Sequence, residues 1–306
     1  MASVSDEIKA AFKQGDIVTR LILFNAAVFI GINVIYVLLW LFEVPDFAMY
    51  NGIPAKLHRI GLGTPTDLGS LLFKPWTLIT YMFVHEGIGH LFFNMLLLFL
   101  GGRIFNQYLG STRVLATYVL GGLAGVFLYI ISYNLFPIFS DVLSIALITG
   151  ASASVMAVLV AVTAYVPNHS VQLPFIGPVK LKYITAFLIV ADIINIKSSN
   201  PGGHLSHLGG ALFGVYFASQ YRKGSDLSVT FNALLNKVKA YFYKPKSHLN
   251  VSHSARRQHK SDEDYNYEKK VNQQKMDEIL DKISKSGYES LSKEEKDILF
   301  KFGDKG

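Results

Sequence analysis

A serine with the surroundings of a nucleophile lies inside one of the most apolar stretches of the sequence. Ser152 occurs in LITGASASVMA, residues 147–157. In such an apolar segment a serine either serves the close packing of helices or takes part in a reaction. A serine hydroxyl becomes nucleophilic when a base removes its proton, and histidine is the usual base. His207, in the segment GGHLSHLGG, is a candidate for that base, so the two residues could form a catalytic dyad for acyl transfer.

Two further polar residues could stabilise the negative charge that an attacked carbonyl group develops. His90 and Asn94 are four residues apart, which puts both side chains on one face of a helix. Together with the backbone N–H of Ser152, they are candidate donors to an oxyanion. Gly150 permits a tight turn and a close approach of the substrate just before the serine. The pattern is not the G-x-S-x-G turn of soluble hydrolases, because position 154 is serine.

Several of these residues also have a purely structural interpretation. Ser152 could serve only the close packing of small residues between helices, and Asn94 could be a polar contact between helices. His207 could be a buried histidine whose nitrogens are satisfied by the backbone. Asp192 allows the interpretation of a triad, although structural pairing of polar groups is the commoner role of such a residue in a membrane.

The composition excludes several classes of site. The chain has no cysteine, which excludes disulfides, thiol nucleophiles and cysteine-based metal sites. His85 and His204 are expected at the wet rim of the site, and without acidic partners they predict no metal centre. No cofactor is predicted. The net charge of +7 lies near the expected membrane ends, which indicates contact with lipid headgroups and not with nucleic acid.

Six apolar spans must position the candidate residues. The chain has 306 residues, of which 51% are hydrophobic and 17% charged, and most of the charge follows residue 220. This is typical of a polytopic membrane protein with a soluble tail. The spans are predicted at residues 19–42, 90–108, 114–136, 143–167, 181–196 and 204–221. Spans two, four and six carry the candidate residues at their outer ends, so these side chains should lie at one depth.

Lysine and arginine residues set the expected orientation. Nine of them flank one set of span ends, namely Lys9, Lys13, Arg20, Arg103, Arg113, Lys180, Lys182, Arg222 and Lys223. The positive-inside rule therefore predicts that both termini are cytoplasmic and that the candidate site faces the outer side. Residues 43–89 then form the longest outer connection, and their aromatic and apolar content predicts a partly embedded loop.

The ordered motifs resemble the rhomboid intramembrane serine proteases of bacterial type. The HxxxN pattern at residues 90–94, GAS at residues 150–152 and HLGGALFG at residues 207–214 occur in the family's order. The resemblance covers roughly residues 15–222. It implies an all-α, six-transmembrane-helix bundle in a bacterial inner membrane. It also implies contact with membrane lipids and cleavage of transmembrane protein substrates.

The resemblance also implies a role for each matching residue. Ser152 is the nucleophile and His207 the general base of a dyad that lacks an acid. His90, Asn94 and the Ser152 amide form the oxyanion hole. Gly210 and Gly214 bring the sixth helix against the fourth, and Gly150 precedes the nucleophile.

Three positions depart from the family's pattern. Ala153 stands where many members have glycine, and Met156 where many have a tyrosine that stacks on the histidine. Trp76 matches a tryptophan of the first loop, but Thr77 replaces the arginine beside it. These changes are expected to affect the catalytic rate and the anchoring of the loop, and to leave the dyad intact. The alternative function is an inactive relative that binds or escorts membrane clients, although such relatives typically lose the serine or the histidine.

The chain changes character after the sixth span. Residues 1–15 are expected to be a cytoplasmic N-terminus and residues 16–222 the membrane domain. Residues 223–266 predict an interfacial helix and a basic linker. Residues 267–306 predict a small cytoplasmic helical hairpin, with a capping box at Ser292 and Glu295. The hairpin resembles short C-terminal modules of some bacterial rhomboids, and a cytoplasmic protein could be its partner.

Overall fold

The structure, a computed structural model, describes residues 12, 15–50, 53–198, 200–242 and 262–303. The chain divides into two compact units, Met1–Lys244 and Pro245–Gly306. The helices of the first unit are α1 Ile17–Leu41, α2 Leu57–Leu62, α3 Leu68–Phe73, α4 Thr77–Thr80, α5 Ile88–Leu109, α6 Ser111–Leu135, α7 Ser152–Tyr165, α8 Leu181–Asn195, α9 Pro201–Arg222 and α10 Leu227–Phe242. Its strands are β1 Phe47–Tyr50, β2 Ile53–Lys56, β3 Thr64–Pro65, β4 Leu147–Ile148, β5 Ser170–Leu173 and β6 Gly177–Lys180. Short 3₁₀ helices occupy Tyr81–Phe83 and Pro137–Val142.

The first unit is a polytopic bundle of apolar helices. Helices occur at all six predicted spans, and α1, α5 and α6 are long and apolar enough to cross a membrane. Helix α7 is apolar but has only 14 residues, which corresponds to about 21 Å. Length and hydropathy together single out three helices among the described residues, so the count of six spans remains a prediction.

Helix α7 is the centre of the bundle, because α5, α6 and α9 all pack against it. Small residues make the packing close. A Cβ atom added to Gly125 of α6 would lie 2.5 Å from the Cβ atom of Ala153, and one added to Gly121 would lie 2.1 Å from that of Ala157. In a membrane the hydrophobic effect does not bring helices together, and small residues instead allow their backbones to come into close van der Waals contact. Every residue of α7 from Ala153 to Thr163 is buried.

Two glycines bring α9 onto the other side of α7. A Cβ atom added to Gly210 would lie 2.1 Å from the carbonyl oxygen of Ala153. One added to Gly214 would lie 2.6 Å from the carbonyl oxygen of Ala157. Backbone oxygens cannot move aside as a flexible side chain can, so both positions require glycine. This contact fixes the position of α9 along the axis of α7, close to the first turn of α7.

The predicted fourth span at residues 143–167 is not one continuous helix. Strand β4 lies within it and pairs antiparallel with β3, with Thr64 opposite Ile148. Gly150 then has a φ of +133°, which side chains other than hydrogen rarely allow. The α-helix therefore begins only at Ser152. Hydropathy alone cannot detect this boundary, because the strand and the helix are equally apolar.

The first loop is anchored without an arginine at position 77. The indole Nε1 of Trp76 donates to the carbonyl oxygen of Gly61 at 2.9 Å. The Thr64 hydroxyl donates to the carbonyl oxygen of Thr77 at 2.8 Å, and Nη2 of Arg59 donates to that of Leu147 at 3.0 Å. These bonds tie the loop to β4 and to its own short helices. The loss of the arginine beside Trp76 thus leaves a loop with other polar anchors.

The second unit is a helical hairpin. It consists of α11 Asp262–Ser286, a 3₁₀ turn at Tyr288–Ser290 and α12 Lys293–Gly303. Gly287 ends α11 with a φ of +76°, and the predicted capping box is present, since Ser292 N donates to Glu295 Oε2 at 2.6 Å. Ile279 and Leu291 are buried between the helices. Helix α11 begins five residues before the predicted boundary at residue 267.

Candidate active site

Ser152 is the first residue of α7, and the turn before it places the serine at the mouth of a cavity. The backbone N–H of Gly150 donates to the carbonyl oxygen of Tyr81 at 2.9 Å, which holds the turn. The N–H groups of a first helical turn have no acceptor within the helix. The Ser152 N–H therefore lies where a ligand oxygen could accept from it.

One cavity of about 410 Å³ brings together the residues that the sequence singles out. Ser152, His207, His90 and Asn94 all line it, and so does Gly150. A Cβ atom added to Gly150 would lie 3.0 Å from Nε2 of His90 and 3.5 Å from Oγ of Ser152. Both atoms thus lie close to one point in the cavity. Only a glycine at position 150 leaves that point free for a substrate.

Helix α5 presents His90 and Asn94 to the cavity from one face, as their spacing predicts. The side-chain amide of Asn94 donates one hydrogen to the carbonyl oxygen of His90 at 2.9 Å. A primary amide carries two hydrogens, so the second remains for another acceptor. Asn94 is buried, and a buried donor interacts more strongly with a developing charge than an exposed one does.

A carboxylate contacts His207, whereas the resemblance implied an acid-free dyad and left Asp192 as the alternative of a triad. Oδ1 of Asp192, on α8, is 2.8 Å from Nδ1 of His207 and 2.7 Å from Nδ1 of His204. The two histidines are three residues apart on α9, so they share a helix face. The sequence did place all three residues near the outer end of their helices. Hydropathy predicts the depth of a residue in the membrane but not the rotation of a helix about its axis. The contact between Asp192 and the two histidines therefore could not be derived from the sequence.

The same three side chains have the spacing of metal ligands. The donor atoms of Asp192, His204 and His207 lie within 4.8 Å of one another, which is the one such group among the described residues. The expectation that the histidines lack an acidic partner is therefore wrong for His204. Hydrogen bonds to one carboxylate oxygen already account for this proximity.

His85 lies deeper than the wet rim where the sequence interpretation placed it. The side chain is buried, and its ring centroid is 5.0 Å from that of His90. Burial, and then the neighbouring His90, lower the pKa of His85 to about 4. His85 is therefore neutral near pH 7 and supports the wall of the cavity.

Comparison with protein families finds a match for each unit of the chain. Residues 73–223 match the rhomboid domain. This stretch includes His90, Asn94, Ser152 and His207. Residues 260–305 match a family of unknown function, DUF6576.

Three curated proteins are similar to parts of the chain. RHOMBOID-like protein 12, mitochondrial, of Arabidopsis thaliana is 28% identical over 218 residues, 68% of this chain and 59% of that protein. Presenilin-associated rhomboid-like protein A, mitochondrial, of Danio rerio is 30% identical over 44% of this chain and 34% of its own length. Rhomboid-related protein 3 of Homo sapiens is 35% identical over 26% of this chain and 21% of its own length. The matched region spans about three fifths or less of each relative.

Proposed function

The chain belongs to the rhomboid family, and we propose that it is an intramembrane serine endopeptidase that cleaves transmembrane protein substrates. The observation that carries the proposal is the single cavity lined by Ser152, His207, His90 and Asn94. A nucleophile, a base and two oxyanion donors from three helices would have no structural reason to converge on one open space. Membrane-embedded polar residues usually mark a functional site.

In the proposed reaction, His207 removes the proton of the Ser152 hydroxyl while the oxygen attacks the carbonyl carbon of the substrate. The oxyanion accepts hydrogen bonds from the Ser152 N–H and from the side chains of His90 and Asn94. His207 then gives the proton to the nitrogen of the leaving amine. Water then attacks the acyl-enzyme: His207 takes a proton from the water as its oxygen bonds to the carbonyl carbon, and gives that proton to Oγ of Ser152 as the bond between Oγ and the acyl group breaks.

The same proposal includes an orientation. The distribution of lysine and arginine supports cytoplasmic termini and a site that opens toward the outer side of the membrane. The resemblance of the tail to modules of bacterial rhomboids supports a bacterial inner membrane as the compartment. The lipid bilayer and single-span substrates are the proposed partners of the membrane domain.

The decisive experiment incubates the purified protein in detergent with a test substrate that has one transmembrane helix. We expect mass spectrometry to detect a cleavage product with the parent protein and none with Ser152→Ala. Ser154→Ala is the matched control, because Ser154 is buried in the same helix and does not line the cavity. A fluorophosphonate probe should label the parent and not Ser152→Ala. A protein that only binds membrane clients would give no product and no Ser152-dependent labelling.

A further inference from the structure

We infer that Asp192 positions His207 as the base, so that the site is a Ser–His–Asp arrangement and not a two-residue dyad. The inference rests on the proposed function, because it assigns a role behind the same serine and histidine. It differs from that function in placing part of the machinery on α8, which carries none of the motif residues.

The contact between Asp192 and His207 has the geometry that a positioned imidazole needs. Oδ1 of Asp192 is 2.8 Å from Nδ1 of His207, within the range of a charge-assisted hydrogen bond. A carboxylate can only accept, so the imidazole must carry its hydrogen on Nδ1. Its other nitrogen, Nε2, then has a free lone pair. His207 and Ser152 line the same cavity, and the proposed reaction assigns that lone pair to the serine proton.

The carboxylate is itself held in place. Asp192 is 7% exposed, and Oδ1 also accepts from Nδ1 of His204 at 2.7 Å. A small pocket of about 170 Å³ is lined by Ser152, Asp192, His204 and His207 together. The acid therefore lines a smaller pocket that Ser152 and His207 also line, and two imidazole donors restrict its movement.

The proton balance needs no further reactant. The proton of Ser152 Oγ moves to Nε2 of His207 as the bond from Oγ to the carbonyl carbon forms. The imidazole becomes a cation, and the negative charge of Asp192 stabilises it while the aspartate stays ionised. When the peptide C–N bond breaks, the proton moves from Nε2 to the amine. Asp192 takes and gives no proton in either step.

A hydrogen bond to the carboxylate requires the hydrogen on Nδ1 of His207, so the tautomer is the first test, of the contact itself, and kcat is the test of its role in the reaction. We expect ¹⁵N NMR of histidine-labelled protein in micelles to show His207, assigned with His207→Ala, with hydrogen on Nδ1 and none on Nε2. In Asp192→Asn the hydrogen should move to Nε2. Asp141→Asn is the matched control, because Asp141 is exposed and does not line the cavity. An Nε2–H tautomer in the parent, or an unchanged tautomer in Asp192→Asn, overturns the inference.

The second test separates rate from binding. Loss of the acid from a Ser–His–Asp triad costs up to about 10⁴-fold in kcat, and we expect Asp192→Asn to lower kcat at least ~10-fold with KM within ~2-fold. Asp192→Glu should restore part of kcat, since it returns a carboxylate to α8. Parental kcat in Asp192→Asn, or a loss of kcat that follows a lowered Tm in both variants, overturns the inference. If the parent shows no Ser152-dependent cleavage, the proposed function fails, whereas the tautomer measurement still decides the position of Asp192.

Discussion

Asn94 donates one amide hydrogen to the carbonyl oxygen of His90, and because its side chain lines the cavity the other hydrogen is the candidate donor to an oxyanion. A donor that acts on a charge present only in the transition state contributes to kcat more than to KM. We expect Asn94→Ala to lower kcat about 10²–10³-fold, the usual cost of one oxyanion donor. Steady-state kinetics with a fluorogenic transmembrane substrate in detergent would measure this loss of kcat.

A second asparagine provides the control for that experiment. Asn33 on α1 donates to the carbonyl oxygen of Phe29 at 2.8 Å, the same bond to the residue four positions earlier, far from the cavity. Asn33→Ala should leave kcat unchanged. A large drop in Tm for Asn94→Ala, with kcat per folded molecule preserved, would instead identify Asn94 as a contact between helices.

Ser152 and His207 should behave as one unit. Because neither residue can act without the other, the double variant with Ser152→Ala and His207→Ala should be no slower than either single variant. All three variants should keep the Tm of the parent within a few degrees, since both residues line an open cavity. The coupling between the two residues would be measured from the steady-state cleavage rates of the three variants, each compared with the rate in the absence of enzyme. Additive losses of rate would contradict the assignment of His207 as the base.

At the scale of elements, Gly210 sets the distance between α7 and α9. We expect Gly210→Ala to destabilise the protein by about 1–3 kcal/mol, the usual cost of overpacking, because a Cβ atom there would lie 2.1 Å from a backbone oxygen. Thermal unfolding followed by circular dichroism would measure the change. Gly31→Ala is the control, because Gly31 is also helical and has nothing within 4 Å of its Cβ position. An equal Tm for the two variants would show that α9 can move away from α7.

An ion pair outside the spans gives a prediction about pH. Asp226 precedes α10, and its Oδ2 accepts from Nε of Arg113 at 2.7 Å while Ser228 donates to Oδ1 at 2.6 Å. Burial acts to raise the pKa of Asp226, but the hydrogen bonds from Ser228 and Arg113 outweigh it and lower the pKa below 3.8. The stabilisation is therefore complete above about pH 4 and disappears as the pH falls through the lowered pKa.

Asp226→Asn should then reduce the free energy of unfolding by about 1.5–3 kcal/mol near pH 7, the range for hydrogen bonds to charged groups. Below pH 4 the difference in Tm between parent and variant should shrink. The control is Asp46→Asn, because Asp46 forms a longer and more exposed pair with Lys56, at 3.9 Å. A difference in Tm that is independent of pH from 7 to 3 would contradict the lowered pKa.

The sequence predicts the helices of the core well and their ends less well. Apolar stretches located all six helices, and the motifs located the residues that line the cavity. The start of α7 was missed by nine residues, because a glycine with positive φ and a two-residue strand carry no hydropathy signal. The pairing of β1 with β2 and of β5 with β6 was missed because most of these four-residue strands lack a clear alternating hydropathy pattern. Asp192 was considered as a third member of the site but was not assigned to His207, because hydropathy does not give the rotation of a helix about its axis.

At the scale of the whole molecule, all the cavity residues belong to the first compact unit. A chain that ends after Lys246 should therefore fold and cleave a test substrate in detergent at the parental rate. Size-exclusion chromatography and the cleavage assay would measure both properties. A monodisperse but inactive truncated protein would show that the tail acts on the site itself.

The second unit remains a candidate for binding a cytoplasmic protein. Its helices bury Ile279 and Leu291 and present mostly charged surfaces, with pairs such as Lys282 and Glu295 at 2.9 Å. Its match is to a family of unknown function, which assigns no chemistry. Recognition of a protein partner by residues 267–306 therefore stays a prediction from the sequence.

The shortness of α7 determines how far a substrate must be drawn in. Its 14 residues span about 21 Å, whereas the hydrocarbon core of a bilayer is about 30 Å thick. With Tyr165 at the cytoplasmic edge, as the proposed orientation requires, Ser152 lies about 9 Å below the opposite edge. A helix rises about 1.5 Å per residue, so the proposed reaction would cut a substrate helix about six residues inside its apolar segment. That stretch must give up its own helical hydrogen bonds before a carbonyl group can reach the serine, which favours substrates with glycine, proline or β-branched residues in those first two turns.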